Sequence, residues 1–194
     1  MTVIDTFVAP PCHQSIETLY QDEHILLINK PSGLLSLSGK NPLNLDSVHH
    51  RLAQIYPQIT LIHRLDLGTS GIMLLALDKT TNALLSQQFQ SRTVTKRYQS
   101  IVAGHIEQDS GFIDAPISKD KALFPRLKVC FEQGQKAISH FQVLERLSNP
   151  DRTRLLFTPE TGRTHQLRIH SQHIGHPMLG CDLYGNDESQ AMAP

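Results

Sequence analysis

Leu61-Ile62-His63-Arg64-Leu65-Asp66-Leu67-Gly68-Thr69-Ser70-Gly71-Ile72-Met73-Leu74-Leu75-Ala76-Leu77 sets a charged turn between two apolar runs. The second run, Ile72 to Leu77, reads as a buried strand. Charge lodged between buried segments is expensive unless it is paired or used. Asp66 therefore has two readings. It is a turn aspartate capping its own backbone, as most loop aspartates are, or it is a carboxylate held for chemistry. The rest of the chain bears on that choice.

Working outward, Thr18-Leu19-Tyr20 and Ile25-Leu26-Leu27-Ile28 read as two strands around a Gln21-Asp22-Glu23 turn. Lys30-Pro31-Ser32-Gly33 ends the second, because Pro31 cannot continue a central ladder. Asp46 is the expected N-cap of a helix that carries Val48, Leu52 and Ile55 on one face and stops before Pro57. A second helix opens at Asp78 to Thr80, with Leu84, Leu85 and Phe89 as its buried stripe. Residues 94–103 alternate and are β-rich, so they read as a strand. Weak strands follow near 111–117 and 127–131. Residues 137–147 and 153–158 form a hairpin around Ser148-Asn149-Pro150-Asp151. Residues 164–174 read as a third helix with Leu167, Ser171 and Ile174 inward and Gly175 as its stop. Strands dominate, helices are few, and hairpins mix with helical crossovers. The fold class is α+β, with a mixed, largely antiparallel sheet and a few flanking helices.

Composition bounds the function. A chain of 194 residues with 39% hydrophobic content suits one domain with a sizeable core. The expected division is a loose arm over residues 1–15 and one domain over 16–194. Lys+Arg and Asp+Glu are both 18, so no global basic field draws in a polyanion, and such binding must come from a local patch. Cys12, Cys130 and Cys181 are scattered, odd in number and lack a CxxC pair. They read as reduced thiols in a cytoplasmic protein. Nothing resembles a signal peptide, and no apolar run reaches membrane-spanning length, so no membrane association is expected.

Three further segments join the Asp66 turn. They are Ile28-Asn29-Lys30-Pro31-Ser32-Gly33-Leu34-Leu35-Ser36, Lys96-Arg97-Tyr98, and Thr161-Gly162-Arg163-Thr164-His165-Gln166-Leu167-Arg168-Ile169-His170. The last is followed by Gly175-His176-Pro177-Met178-Leu179-Gly180 and Tyr184-Gly185. In this order and spacing the four segments resemble the RluA family of RNA pseudouridine synthases, from about Leu19 to the end. Lys128-Val129-Cys130 and the Ala191-Met192-Ala193-Pro194 ending bring the pattern nearest to members acting on both large-subunit rRNA and tRNA. The resemblance implies the pseudouridine synthase fold and an isomerase. It also implies that a further strand, outside residues 1–194, ordinarily completes the catalytic sheet, and that this chain is less stable than a relative carrying it.

By that resemblance Asp66 is the catalytic aspartate. Detaching uracil leaves an electron-poor C1′, which a carboxylate can attack or stabilise. An elimination route would instead need a base near C2′. Arg168 matches the arginine that pairs with the aspartate, where a guanidinium fork keeps the carboxylate ionised and aimed. Read alone, it is a surface arginine on a helix. Tyr98 matches the active-site tyrosine, placed to stack on the target base. Read alone, it is a half-buried strand tyrosine. Arg64 would fill the space left when the uridine leaves its stack. Its plainer reading is a phosphate contact or a salt bridge. Lys30-Pro31 reads as strand termination and packing beneath the site. Basic clusters suited to phosphates are Arg92, Lys96 and Arg97, then Arg126 and Lys128, then Arg163 with His165. The partner is RNA, in rRNA or tRNA stem-loops, since specificity is read on splayed single-stranded bases. No metal, no cofactor and no obligate protein partner is implied, and the chain is expected to be a monomer.

Other classes fit less well. His170, His173 and His176 have suggestive metal spacing, but the three-residue step rotates the ligands and His176 falls beyond Gly175. His63-Arg64-Leu65-Asp66 only superficially resembles a kinase catalytic loop, and no Gly-rich loop accompanies it. A non-catalytic RNA-binding module on the same fold remains the alternative function.

Overall fold

The computed structural model describes residues 7–123 and 125–192. Within the domain expected over 16–194, the backbone forms two compact units that meet in sequence between Val94 and Thr95.

The first unit is built on β1 (Glu17–Gln21), β2 (Ile25–Lys30), α1 (Val48–Ala53), β3 (Thr60–Leu61), β4 (Gly71–Ala76) and α2 (Lys79–Gln90). Its sheet has the order β1-β2-β4-β3, and every ladder is antiparallel. The period of two along β2 sends Leu26, Ile28 and Lys30 to one face, and all three are fully buried. Across the ladder Leu26 faces Leu75 and Ile28 faces Met73, both also fully buried. Each such aliphatic side chain contributes about 1.5–3 kcal/mol on burial. The same alternation drives the Lys30 side chain inward behind them.

Two helix expectations need correction here. The N-cap of α1 is Ser47, whose hydroxyl accepts from His50 N, rather than Asp46. Asp46 is taken by Arg51, with Nε at 2.7 Å and Nη2 at 2.6 Å from its oxygens. Helix α1 ends at Ala53, and Ile55 lies beyond it, exposed. Asp78 does cap α2, accepting from Thr81 N and Thr81 Oγ1, and these bonds lower its carboxyl to about 2. The expected stripe of α2 is not buried: Leu84 is exposed, while Leu85 and Phe89 are half-buried. Phe89 stacks on His63 at 4.9 Å. The described part of the N-terminal arm has no regular structure. It is tied down by Ala9 N donating to Asn44 and by Arg51 donating to the Cys12 and Gln14 carbonyls. Residues 1–6 of that arm lie outside the described residues.

The second unit holds β5 (Tyr98–Ala103), β6 (Ser110–Asp114), β7 (Ile117–Lys119), β8 (Leu127–Val129), β9 (Ile138–Leu147), β10 (Arg152–Pro159), α3 (Gln166–His173) and α4 (Asp187–Ala191). The main sheet runs β5-β10-β9-β6, and β7-β8 form a small hairpin. The expected 137–147/153–158 hairpin is β9-β10. Along β10, Thr153, Leu155 and Phe157 are fully buried at alternate positions, and Leu155 and Phe157 build a core with Val102, Ile106, Ile113 and Ala115. The strand expected over 94–103 begins only at Tyr98, because the β10 ladder with β5 ends at the Phe157–Tyr98 pair. Lys96 and Arg97 are left in a connecting segment. The weak strand near 111–117 divides between β6 and β7, which belong to different sheets. In α3 the buried face is Gln166, Ile169, His170 and Ser171, while Leu167 and Ile174 are only half-buried. Gly175 follows with φ 84, the left-handed stop expected of it. Helix α4, with Asn186 and Ser189 forming a capping box, was not foreseen. No helix among the described residues is long and apolar enough to cross a membrane.

Candidate active site

Arg64 and Asp66 lie in the first unit, on the connection from β3 to β4. Lys30 sets that connection from below. Its side chain is fully buried, and the ammonium donates to the carbonyls of Pro31 (2.9 Å), Leu34 (2.6 Å) and Leu67 (3.2 Å). A buried ammonium is tolerated because its N–H groups find acceptors. Around it the 32–36 segment closes on the turn. Gly33 N, at a φ of 80 that favours glycine, also donates to Leu67 O at 2.9 Å. Ser32 Oγ donates to Gly68 O at 3.0 Å. Ser36, itself buried, donates to Leu65 O at 2.6 Å and accepts from Leu65 N at 3.1 Å. The residues on either side of Asp66 are thus tied to one neighbouring segment. Thr69 N donates to Asp66 O at 3.1 Å and closes the turn. Asp66 is half-buried and Arg64 is exposed.

The other candidates lie in the second unit. Tyr98 is the first residue of β5, half-buried and opposite Phe157. Arg97 beside it is exposed. Lys96 is half-buried, with Nζ 3.7 Å from where a Cβ on Gly162 would stand. Lys96 and the Arg163 loop are therefore neighbours. Arg163 donates from Nε to Lys136 O at 3.1 Å. His165 has φ 57, in the left-handed region, and its Nδ1 lies 2.9 Å from the Tyr184 hydroxyl. That hydroxyl also accepts from Leu127 N, and the Arg126 guanidinium sits over the Tyr184 ring at 5.4 Å. Arg126 and His165 thus meet at Tyr184, with Arg163 on the same loop as His165. Arg168, with a side chain only 15% exposed, places Nη1 3.8 Å from both Cys181 Sγ and Asp182 Oδ1.

A family model described as RNA pseudouridylate synthase matches residues 24–173, which hold all eight of these candidates. The chain belongs to the RNA pseudouridylate synthase family. A dual-specificity RNA pseudouridine synthase RluA from Haemophilus ducreyi is 45% identical over 188 residues, covering 95% of this chain and 84% of the relative. The relative of the same name from Yersinia pestis is 45% identical over 175 residues, covering 90% and 84%. Among solved structures, human RNA pseudouridylate synthase domain containing 1 superposes with a TM-score of 0.78 at 26% identity, covering 95% of this chain and 76% of that one. The α+β fold and the enzyme class expected from the four segments hold: this is a pseudouridine synthase acting on RNA.

Several residues that hold the candidate site's segments in place escaped sequence reading. Ser36 stood inside the first quoted segment, but nothing in the sequence tells that its hydroxyl serves both main-chain groups of Leu65. Gln166, Ser139 and His170 form a buried polar group behind the Arg163 loop, and Ser139 lies 27 residues from Gln166. Gln166 and His170 stand in the quoted 161–170 segment at helical spacing, but nothing in the sequence pairs them with Ser139. The metal spacing of His170, His173 and His176 comes to nothing, because both ring nitrogens of His170 and Nδ1 of His176 are bonded within the protein. Among the described residues no three His, Cys, Asp or Glu side chains gather as a metal site.

Proposed function

We propose that this synthase converts uridines in stem-loops of large-subunit rRNA and tRNA, with Asp66 as its catalytic carboxylate. The observation that carries the assignment is the Asp66 turn itself, clamped through Leu65, Leu67 and Gly68 by residues 30–36. A carboxylate that must meet C1′ of a flipped nucleotide needs a rigid mount, since misplacement by about 1 Å can cost about 100-fold in rate. In the reaction the N1–C1′ bond breaks, the base turns, and a C5–C1′ bond forms. The C5 proton leaves and N1 ends protonated, so the change is redox-neutral.

In this reading Arg168 keeps Asp66 ionised, Tyr98 stacks on the base, and Arg64 fills the vacated stack. Lys96, Arg97, Arg163 and His165 hold phosphates. The names of the relatives and the local basic groups support RNA of both kinds as substrate. The enzyme is expected to act as a cytoplasmic monomer without metal or cofactor.

The test offers an anticodon stem-loop and a large-subunit rRNA hairpin to the parent chain and to Asp66→Asn. Pseudouridine is mapped by chemical labelling and primer extension. Modification by the parent and none by Asp66→Asn, with equal RNA binding, is expected. Whether the route is attack, charge stabilisation or proton removal, it needs a carboxylate, and the amide performs none of these at a comparable rate. RNA bound by the parent but left unmodified would instead favour a binding module on this fold.

A further inference from the structure

His170 is fully buried, and its imidazole spans two partners: Nε2 lies 3.0 Å from Ala115 O and Nδ1 lies 3.0 Å from Ser139 Oγ. A carbonyl only accepts, so Nε2 carries the proton. Nδ1 of the neutral ring is then a lone pair, and the Ser139 hydroxyl must donate to it. Ser139 Oγ in turn accepts from Gln166 Nε2 at 2.9 Å. Gln166 Nε2 also donates to Ile138 O at 3.0 Å. Its Oε1 accepts from the Thr161 hydroxyl at 2.7 Å and from Arg163 N at 3.0 Å. Thr161 Oγ1 accepts from Ile138 N at 2.9 Å.

Every donor therefore points the same way. Thr161 gives to Gln166, Gln166 to Ser139, Ser139 to His170, and His170 to Ala115. The direction holds only while the imidazole is neutral. Burial pushes His170 below its ordinary value; the Ala115 bond and Asp114 oppose the shift, and His173 adds to it. A buried polar chain is costly unless every member is satisfied, and here each member of the chain has its partner. At its far end stands the Thr161–His165 loop, with Arg163 held by its amide and His165 in the left-handed region.

We propose that His170 is a positioning residue: acting through Ser139 and Gln166, it sets the Arg163–His165 loop for RNA. The inference rests on the RNA reading above and extends it to residues that never touch the substrate. Only the acceptor at Nδ1 faces the loop; the Nε2 bond to Ala115 serves the fold.

The test separates those two ends. Parent, Ser139→Ala, His170→Asn and His170→Phe are compared for affinity toward a labelled large-subunit rRNA hairpin, for KM and kcat in pseudouridine formation, and for thermal melting. His170→Asn keeps an acceptor near the place of Nδ1 and loses the Ala115 bond. It is expected to melt lower yet bind RNA within about threefold of the parent, a small change on the affinity scale. Ser139→Ala removes the bond from Gln166 and His170→Phe removes the acceptor of the Ser139 hydroxyl, so both break the relay and should weaken RNA binding and raise KM about tenfold, with kcat little changed. Affinity that tracks melting temperature across the four proteins would overturn the proposal, as would unchanged affinity in Ser139→Ala. A parent that binds RNA but makes no pseudouridine would defeat the enzyme reading and leave the affinities to judge the loop. A parent that binds no RNA would overturn both.

Discussion

The Asp66 turn of the first unit and the Arg163 loop of the second are both held from behind by buried polar groups, but by different chemistry. The Asp66 turn is tied by main-chain carbonyls to one nearby segment, with a buried ammonium at the centre. The Arg163 loop is tied by a relay of neutral side chains drawn from β9 and α3, which ends on the Ala115 carbonyl before β7. The first arrangement rests on one buried cationic donor shared among three carbonyls. The second needs a direction of donation and depends on a neutral ring. The turn that carries Asp66 is thus held through a charged group, and the loop that carries Arg163 through neutral ones.

The contrast can be broken at its strongest point first. Lys30→Met leaves the carbonyls of Pro31, Leu34 and Leu67 without this donor. It should destabilise the protein by about 2–4 kcal/mol, since each orphaned buried group costs about 1–3 kcal/mol and some will find other partners. Denaturant unfolding reads it, and a midpoint equal to the parent's would mean the ammonium holds nothing.

Ser36→Ala comes next, at about 1–3 kcal/mol, because Leu65 loses both a donor and an acceptor in a buried setting. Its activity signature should be a fall in kcat exceeding the rise in KM, the reverse of Ser139→Ala. Matching signatures from the two variants would erase the distinction between the mounts.

The pH dependence sharpens the comparison further. Burial lowers His170 from 6.5, so the unfolded chain takes up its proton first. The stability held by this group is complete above 6.5 and drains as pH falls below it, until the folded ring protonates too. Asp114 and His173 are the ionisable groups that act on it. The stability difference between the parent and His170→Asn should therefore narrow from pH 8 to pH 5. A difference that stays constant would show that folding leaves the ring's titration unshifted, and one that widens would show that the folded ring takes up the proton first.

The smallest effect is expected outside both mounts. Arg154 pairs with Glu145 at 3.0 Å, each about half exposed. Arg154→Ala should cost under about 1 kcal/mol, as screened surface pairs do. A larger loss would show that the sheet surface matters to stability as much as the buried ties.

Much of this was legible in the chain. The alternation of β2 and β10 and the apolar run of β4 announce their strands, because a half-buried ladder imposes a period of two and a buried strand needs continuous apolar length. Asp78 and Gly175 mark their helix ends by local chemistry alone. The four motif segments identify the family and bring Asp66, Tyr98 and Arg168 forward as candidates. Other local signals misled. Asp46 looks as good a cap as Ser47, and only the arrival of Arg51 turns it outward. Residues 94–97 have strand composition but no ladder partner beyond Phe157.

What the sequence determined by itself was therefore the element types, the reactive residue classes and the family, all of which rest on short-range patterning. What only the tertiary structure decided was which polar groups are buried together. Lys30 becomes a clamp because β2 aims it inward at the Leu67 carbonyl, 37 residues away. His170 becomes the end of a relay because α3 lies against Ser139, 31 residues away, and Ala115, 55 residues away. Such partners are set by packing, and a buried donor must take the acceptor that packing provides.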